Sequence, residues 1–129
     1  MDKPWLCGKD ELVVAIEGVG PETPTTQNEN GGYQSDTPYG FHLTDPHADF
    51  RLAEVLAEGA KKYARDNWRK IEVESHLNHA LQHIHAYRAG DKQDDHLGHA
   101  LCRLHMAVAV DVQGGALNKL DDECEEEEK

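Results

Sequence analysis

Two stretches of the chain, "HLNHALQHIH" from His76 to His85 and "HLGHALCRLH" from His96 to His105, repeat one histidine-rich phrase in register. An α-helix turns about 100° per residue, so His76, His79 and His83 fall within roughly 60° of one face. His96, His99 and Arg103 repeat that spacing. The linker "AGDKQDD" is short, which makes the two helices antiparallel neighbours. Their polar stripes can then face each other or a common cleft. His85 and His105 fall on the opposite side of each wheel and are expected at a surface or an interface.

The remaining punctuation extends this hairpin into a small bundle. Asp45-Pro46 marks a helix start, and "HADFRLAEVLAEGAKKYAR" places Phe50, Ala53, Leu56, Ala57, Ala60 and Tyr63 near one face. Gly59 inside that helix costs about 1 kcal/mol against alanine, which implies a packing or functional reason for it. "DNWRKIEVE" is a connector. Ser75 is the expected N-cap of the first histidine helix and Gly90 its C-terminal signal. Asp94 or Asp95 caps the second, and Gly114-Gly115 stops it. "ELVVAIEGVG" suits a short strand or extended arm, and "GPETPTTQNENGGYQSDTPYG" is loop-forming. The expected fold is all-α: a small antiparallel helical bundle with an N-terminal extended arm. Residues 1–36 form the arm and loop, 37–115 the helical catalytic domain, and 116–129 an acidic, disordered tail.

With 129 residues and a net charge of -12, histidine neutral, the chain is one domain that repels a nucleic-acid backbone. Three short helices leave apolar surface, Val108, Val110 and Val112 among it, that calls for a homo-oligomer, a dimer or tetramer. Cys7, Cys102 and Cys124 match no zinc-finger spacing, and Cys102 suits an apolar core. A reducing, cytoplasmic compartment is expected. No stretch approaches a membrane span, and the N-terminus lacks the pattern of a signal peptide.

A single histidine here would ordinarily be a hydrogen-bonded, half-buried imidazole. Two matched stripes flanked by Asp94, Asp95 and Glu54 form a ligand set suited to Mn, Co, Zn or Fe. Helix bundles build such centres from inward residues at i, i+3 spacing. "AEGAKKYARDNW" adds different chemistry. Lysine and arginine hold phosphate oxygens, and Tyr63, Trp68 and Asn67 suit stacking on a base and reading its edge. Lys61 and Arg65 are equally well explained as a solvated helix face.

"GGYQSDTPYGFHLTDPHA", "AEVLAEGAKKYARDNWRKI" and "HLNHALQHIHAYRAGDKQDDHLGHALCRL" together resemble the phage dATP/dGTP diphosphohydrolases, relatives of the MazG-like all-α nucleoside triphosphate pyrophosphatases. The resemblance covers about Gly31 to Arg103. It implies hydrolysis of purine deoxynucleoside triphosphates to monophosphate and pyrophosphate with a divalent metal, Mg, Mn or Co foremost and Zn or Fe next. It further implies work in the cytoplasm of an infected host, where 2-aminoadenine replaces adenine in phage DNA. MazG-like enzymes hold magnesium with E-x-x-E and E-x-x-D on facing helices, where this chain carries mainly imidazoles. On this reading His79, His83, Asp95 and His99 are inner ligands, with His76, His96 and Glu54 as alternates or outer partners. Asp94 or Glu58 takes a proton from water. Arg103 and Lys62 neutralise the triphosphate, Tyr63, Asn67 and Trp68 hold the purine, and Asn78 joins the substrate-binding set.

Two rivals remain. A non-enzymatic helical metal-binding adaptor would need no phosphate-binding bases. An HD-type triphosphohydrolase needs a His-Asp dipeptide, which the chain lacks.

Overall fold

The computed structural model describes residues 16–118. The expected strand or arm is described only from Ile16 onward, where the chain forms turns. Cys7, Cys124 and nearly all of the acidic tail lie outside the described residues.

Contacts divide the chain into two units. Within Val13–Asp45, the segment expected as loop folds into a two-stranded antiparallel hairpin, β1 (Thr25–Gln27) and β2 (Tyr33–Ser35), with Thr26 opposite Gln34. The Asn28 side chain closes the turn by accepting from the amides of Asn30 and Gly32 at 2.9 Å each. Gly31 there has φ +87°, a left-handed backbone that glycine adopts without strain. Six exposed strand residues carry little hydrophobic pattern, so the turn residues hide the hairpin from periodicity. A 3-10 turn at Phe41–Leu43 follows.

The helical unit contains α1 (Pro46–Lys62), a 3-10 turn at Asn67–Lys70, α2 (Val73–Arg88) and α3 (His96–Val112). Proline at the first position of α1 lacks an amide the helix has no use for there. α3 is central and packs on both α1 and α2. α2 starts three residues earlier than a Ser75 cap predicts. The amides of Ser75 and His76 both bond the Glu72 carbonyl, because the chain is already turning once the 3-10 connector ends at Ile71.

Both histidine helices end alike. After α2, Gly90 (φ +92°) lets its amide reach the Tyr87 carbonyl and the Asp91 amide reach Ala86. After α3, Gly114 and Gly115 repeat this on Asp111 and Val110. These are Schellman closures, which need a left-handed residue just past the helix. α3 begins on Asp95, whose Oδ1 accepts from the Gly98 amide at 3.1 Å.

The core is thin. Its buried apolar side chains among the described residues are Val55, Ala80, Ala100, Cys102, Ala107 and Val110. Val110, expected at an interface, is fully buried in it, while Val108 and Val112 are exposed. α1 also turns a different face inward. Leu52, Val55, Leu56 and Gly59 are buried or half-buried, whereas Phe50, Ala53, Ala57, Ala60 and Tyr63 are exposed. Branched side chains bury more area than alanines, and a wheel counted by number of apolar residues picks the alanine side. A Cβ on Gly59 would meet nothing within 4 Å among the described residues, so no packing among them requires that glycine. No helix among the described residues is long and apolar enough to cross a membrane.

Candidate metal centre

The antiparallel pairing of α2 and α3 turns the two stripes into one polar seam. At one end His83 meets His96, and at the other His76 meets Arg103. The two contacts lie seven residues apart on each helix, about 10 Å at 1.5 Å rise per residue.

The His83 end gathers the most donors. His83 Nδ1 lies 3.0 Å from His96 Nδ1. The rings of His83 and His99 stack with centroids 5.1 Å apart. His99 Nε2 is 3.4 Å from Asp94 Oδ1. His83, Asp94 and His96 each offer a ligand atom within 4.8 Å of the others. His96 is buried, His83 and His99 are half-buried and Asp94 is exposed, so the cluster opens to solvent on the Asp94 side.

Asp91 decides which nitrogen faces the cluster. The Schellman closure after α2 puts it beside the start of α3, where its Oδ2 sits 2.6 Å from His96 Nε2. An ionised carboxylate only accepts, so Nε2 carries a proton, and in the neutral ring the Nδ1 lone pair points at His83. The bond from His96, with others from Gln93, holds the Asp91 carboxyl below the usual carboxylate range. Burial lowers the His83 pKa, and the neighbouring His99 and His96 lower it further. A neutral imidazole is the form that binds metal.

This donor set fits a divalent transition metal. Two imidazole nitrogens and a carboxylate oxygen suit Mn, Co, Zn or Fe better than an all-oxygen cage would. The carboxylate behind His96 is the usual outer partner of a ligating histidine.

The other expected site residues lie elsewhere. Asp95 caps α3 and pairs with Arg51 of α1 at 2.8 Å. Burial works to raise its pKa, but the Gly98 amide and the Arg51 guanidinium outweigh it and hold the carboxyl low. Glu54 lies 3.9 Å from Arg51 and is exposed, as is Glu58. His76 is fully buried, with Nε2 on the Trp68 carbonyl at 3.0 Å and Nδ1 on Arg103 at 3.1 Å. His79 is half-buried on the same stripe and makes no hydrogen bond among the described residues. Lys62 and Tyr63 are exposed, with the ammonium 5.3 Å from the ring centre, and Asn78 is exposed. Asn67 and Trp68 are half-buried in the connector, where the Arg69 guanidinium covers the Trp68 ring at 4.3 Å. Arg69 also reaches Gln113 at 3.1 Å, tying the connector to the end of α3.

Sequence reasoning missed Asp91, Arg51 and Arg69. Asp91 had a signal, an acid directly after a C-capping glycine and five residues before a helix-opening histidine.

These features define a small helical protein with a candidate metal centre at the turn of a helix hairpin. The chain belongs to the dATP/dGTP diphosphohydrolase family: the model of that family's N-terminal region matches residues 28–120. The match takes in the hairpin turn, all three helices and the whole seam. A search of curated proteins found no match, and a search of solved structures found none. The family's description names a hydrolase.

Proposed function

We propose that the chain hydrolyses dATP and dGTP to dAMP or dGMP and pyrophosphate, using a divalent metal. The observation that carries this reading is the convergence of His83, Asp94 and His96 inside the segment matched by the family. His83, His96 and Asp94 would hold the ion through imidazole nitrogen and carboxylate oxygen, with His99 beside them. His79 is the next ligand available along the stripe. The ion, when bound, stabilises charge on phosphate oxygens and acidifies water.

The chain's own groups complete the reaction. Water adds to the α-phosphorus and the bond to the β-phosphate bridging oxygen breaks, releasing pyrophosphate. The exposed carboxylate of Glu58 or of Asp94 takes the water proton. Arg103 and Lys62 neutralise the leaving pyrophosphate. Trp68, Asn67 and Tyr63 bind the purine, and Asn78, exposed on α2, joins the substrate-binding set. Asp95, paired with Arg51, braces α1 against the start of α3, and Glu54 lies beside Arg51 on α1.

The resemblance supports a MazG-like ancestry and a phage role, draining dATP and supplying dGMP where 2-aminoadenine replaces adenine. A homo-oligomer in the cytoplasm of the infected cell completes the proposal.

The test is incubation of purified protein with each deoxynucleoside triphosphate and Mg, Mn or Co, with product identification. Pyrophosphate and monophosphate from dATP and dGTP, little from dCTP and dTTP, and none after chelation are expected. Triphosphate plus nucleoside would assign the HD-type reaction. Metal binding without turnover would leave an adaptor.

A further inference from the structure

The far end of the seam holds a group whose chemistry the metal reading does not use. His76 has no exposed surface, and both its ring nitrogens are taken. An arginine has only donors, so Nδ1 must accept from Arg103. Nε2 therefore carries the hydrogen and donates to the Trp68 carbonyl. No nitrogen remains for a metal ion.

Packing alone does not call for an imidazole here. One turn along, the same helix presents Ala80 to the same interface, equally buried. A buried imidazole needs two partners to offset its desolvation, and His76 has one on each side of the seam. On α3 it fixes one amino group of Arg103, whose guanidinium makes no other hydrogen bond among the described residues. Four donors in a rigid fork are left for a ligand. On the connector it fixes the peptide of Trp68.

We propose that His76 is a positioning residue that ties Arg103, on the phosphate side of the substrate, to the connector that carries Trp68, on the base side. The proposal rests on the reading of Arg103 and Trp68 as substrate-binding groups. His76 touches no substrate atom. It sets the orientation of the guanidinium and the distance of the aromatic connector from it, so that one nucleotide engages both.

Two substitutions split the two bonds. His76→Gln keeps a donor near the place of Nε2 and loses the acceptor for Arg103. His76→Asn keeps an acceptor near Nδ1 and loses the bond to Trp68. His76→Gln is expected to lower kcat about tenfold or more with KM little changed, since a 1 Å misplacement costs on the order of 100-fold. His76→Asn is expected to raise KM with kcat largely kept. Metal affinity by calorimetry should stay at the parent value in both. In the Arg103→Ala background, His76→Gln should add nothing further.

An additive double variant, or metal affinity lost with His76, would overturn the proposal. If Arg103→Ala is impaired while both His76 variants match the parent, the positioning role fails and the function stands. Should Arg103→Ala turn over dATP like the parent, the phosphate role of Arg103 fails and takes the proposal with it. Long-range proton–nitrogen NMR on the unmodified protein gives a check that needs no variant to fold. His76 is expected as the neutral Nε2–H tautomer, and the Nδ1–H tautomer would refute it.

Discussion

Individual histidines in the seam differ by what each ring nitrogen faces, and no count of histidines predicts that. His83 and His96 share a nitrogen-to-nitrogen contact, His99 leans on Asp94, and His76 is locked between a carbonyl and a guanidinium. Asp91→Asn tests this ordering. An amide presents a donor as readily as an acceptor, so His96 loses its fixed tautomer. Metal affinity should fall by about 10–100-fold in calorimetric titration, with helix content unchanged. Unchanged affinity would remove Asp91 from the centre. The acid response of the metal-free protein follows from His76 and His83, whose pKa values burial pushes below the ordinary 6.5. As pH falls through that value the unfolded chain takes up protons that the folded chain refuses, so stability falls. It is fully present above the unfolded value and is lost toward the lower folded ones. Thermal unfolding followed from about pH 8 to about pH 5 should show Tm dropping, and less steeply in His76→Gln.

The helices were legible in the sequence where their punctuation is local. Pro46, Asp95, Gly90 and Gly114 each set a helix end through their own backbone preference or side chain, and each end lies where those residues predict. The buried face of α1 was not legible, because Ala53, Ala57 and Ala60 count as apolar while adding little area. The stripe of α2 was legible as a period, but the period gives only an angle. Which rung of α3 each histidine meets depends on the pairing of the two helices, and Asp91 sits in a turn that no helical period describes. Two glycines sort by the same logic. Gly98→Ala would push its Cβ into the Asp95 carboxylate that caps α3 and pairs with Arg51. The lost cap, worth about 1 kcal/mol, should cancel the roughly 1 kcal/mol that helix propensity brings, so the midpoint in urea should not rise. Gly59→Ala meets open space among the described residues and should raise stability by about 1 kcal/mol from helix propensity alone. A loss there instead would mean that Gly59 has a close packing partner beyond the described residues.

Among the described residues, large apolar side chains outside the core outnumber those within it. On α3, Leu97, Leu101, Leu104, Val108 and Val112 are all exposed, Val108 at 64%. Their spacing of three and four residues puts them on one stripe, the seam pattern of helix-on-helix packing. That stripe lies on the side of α3 turned away from Ala100, Ala107 and Val110, the buried positions of the same helix. A contiguous apolar patch of this kind marks an association surface in soluble proteins. A second copy would meet it without any new chemistry, because a two-fold axis would set the stripe against itself. Each copy brings a net charge of -12, so added salt should tighten the contact by screening repulsion. Sedimentation velocity at micromolar concentration is expected to show a dimer or tetramer, with a Tm that rises with protein concentration. Leu104→Glu with Val108→Glu should give a folded monomer, since both side chains already face outward and leave the core intact. A parent protein that sediments as a monomer at every salt concentration would leave the stripe without a partner copy, and the association would be wrong.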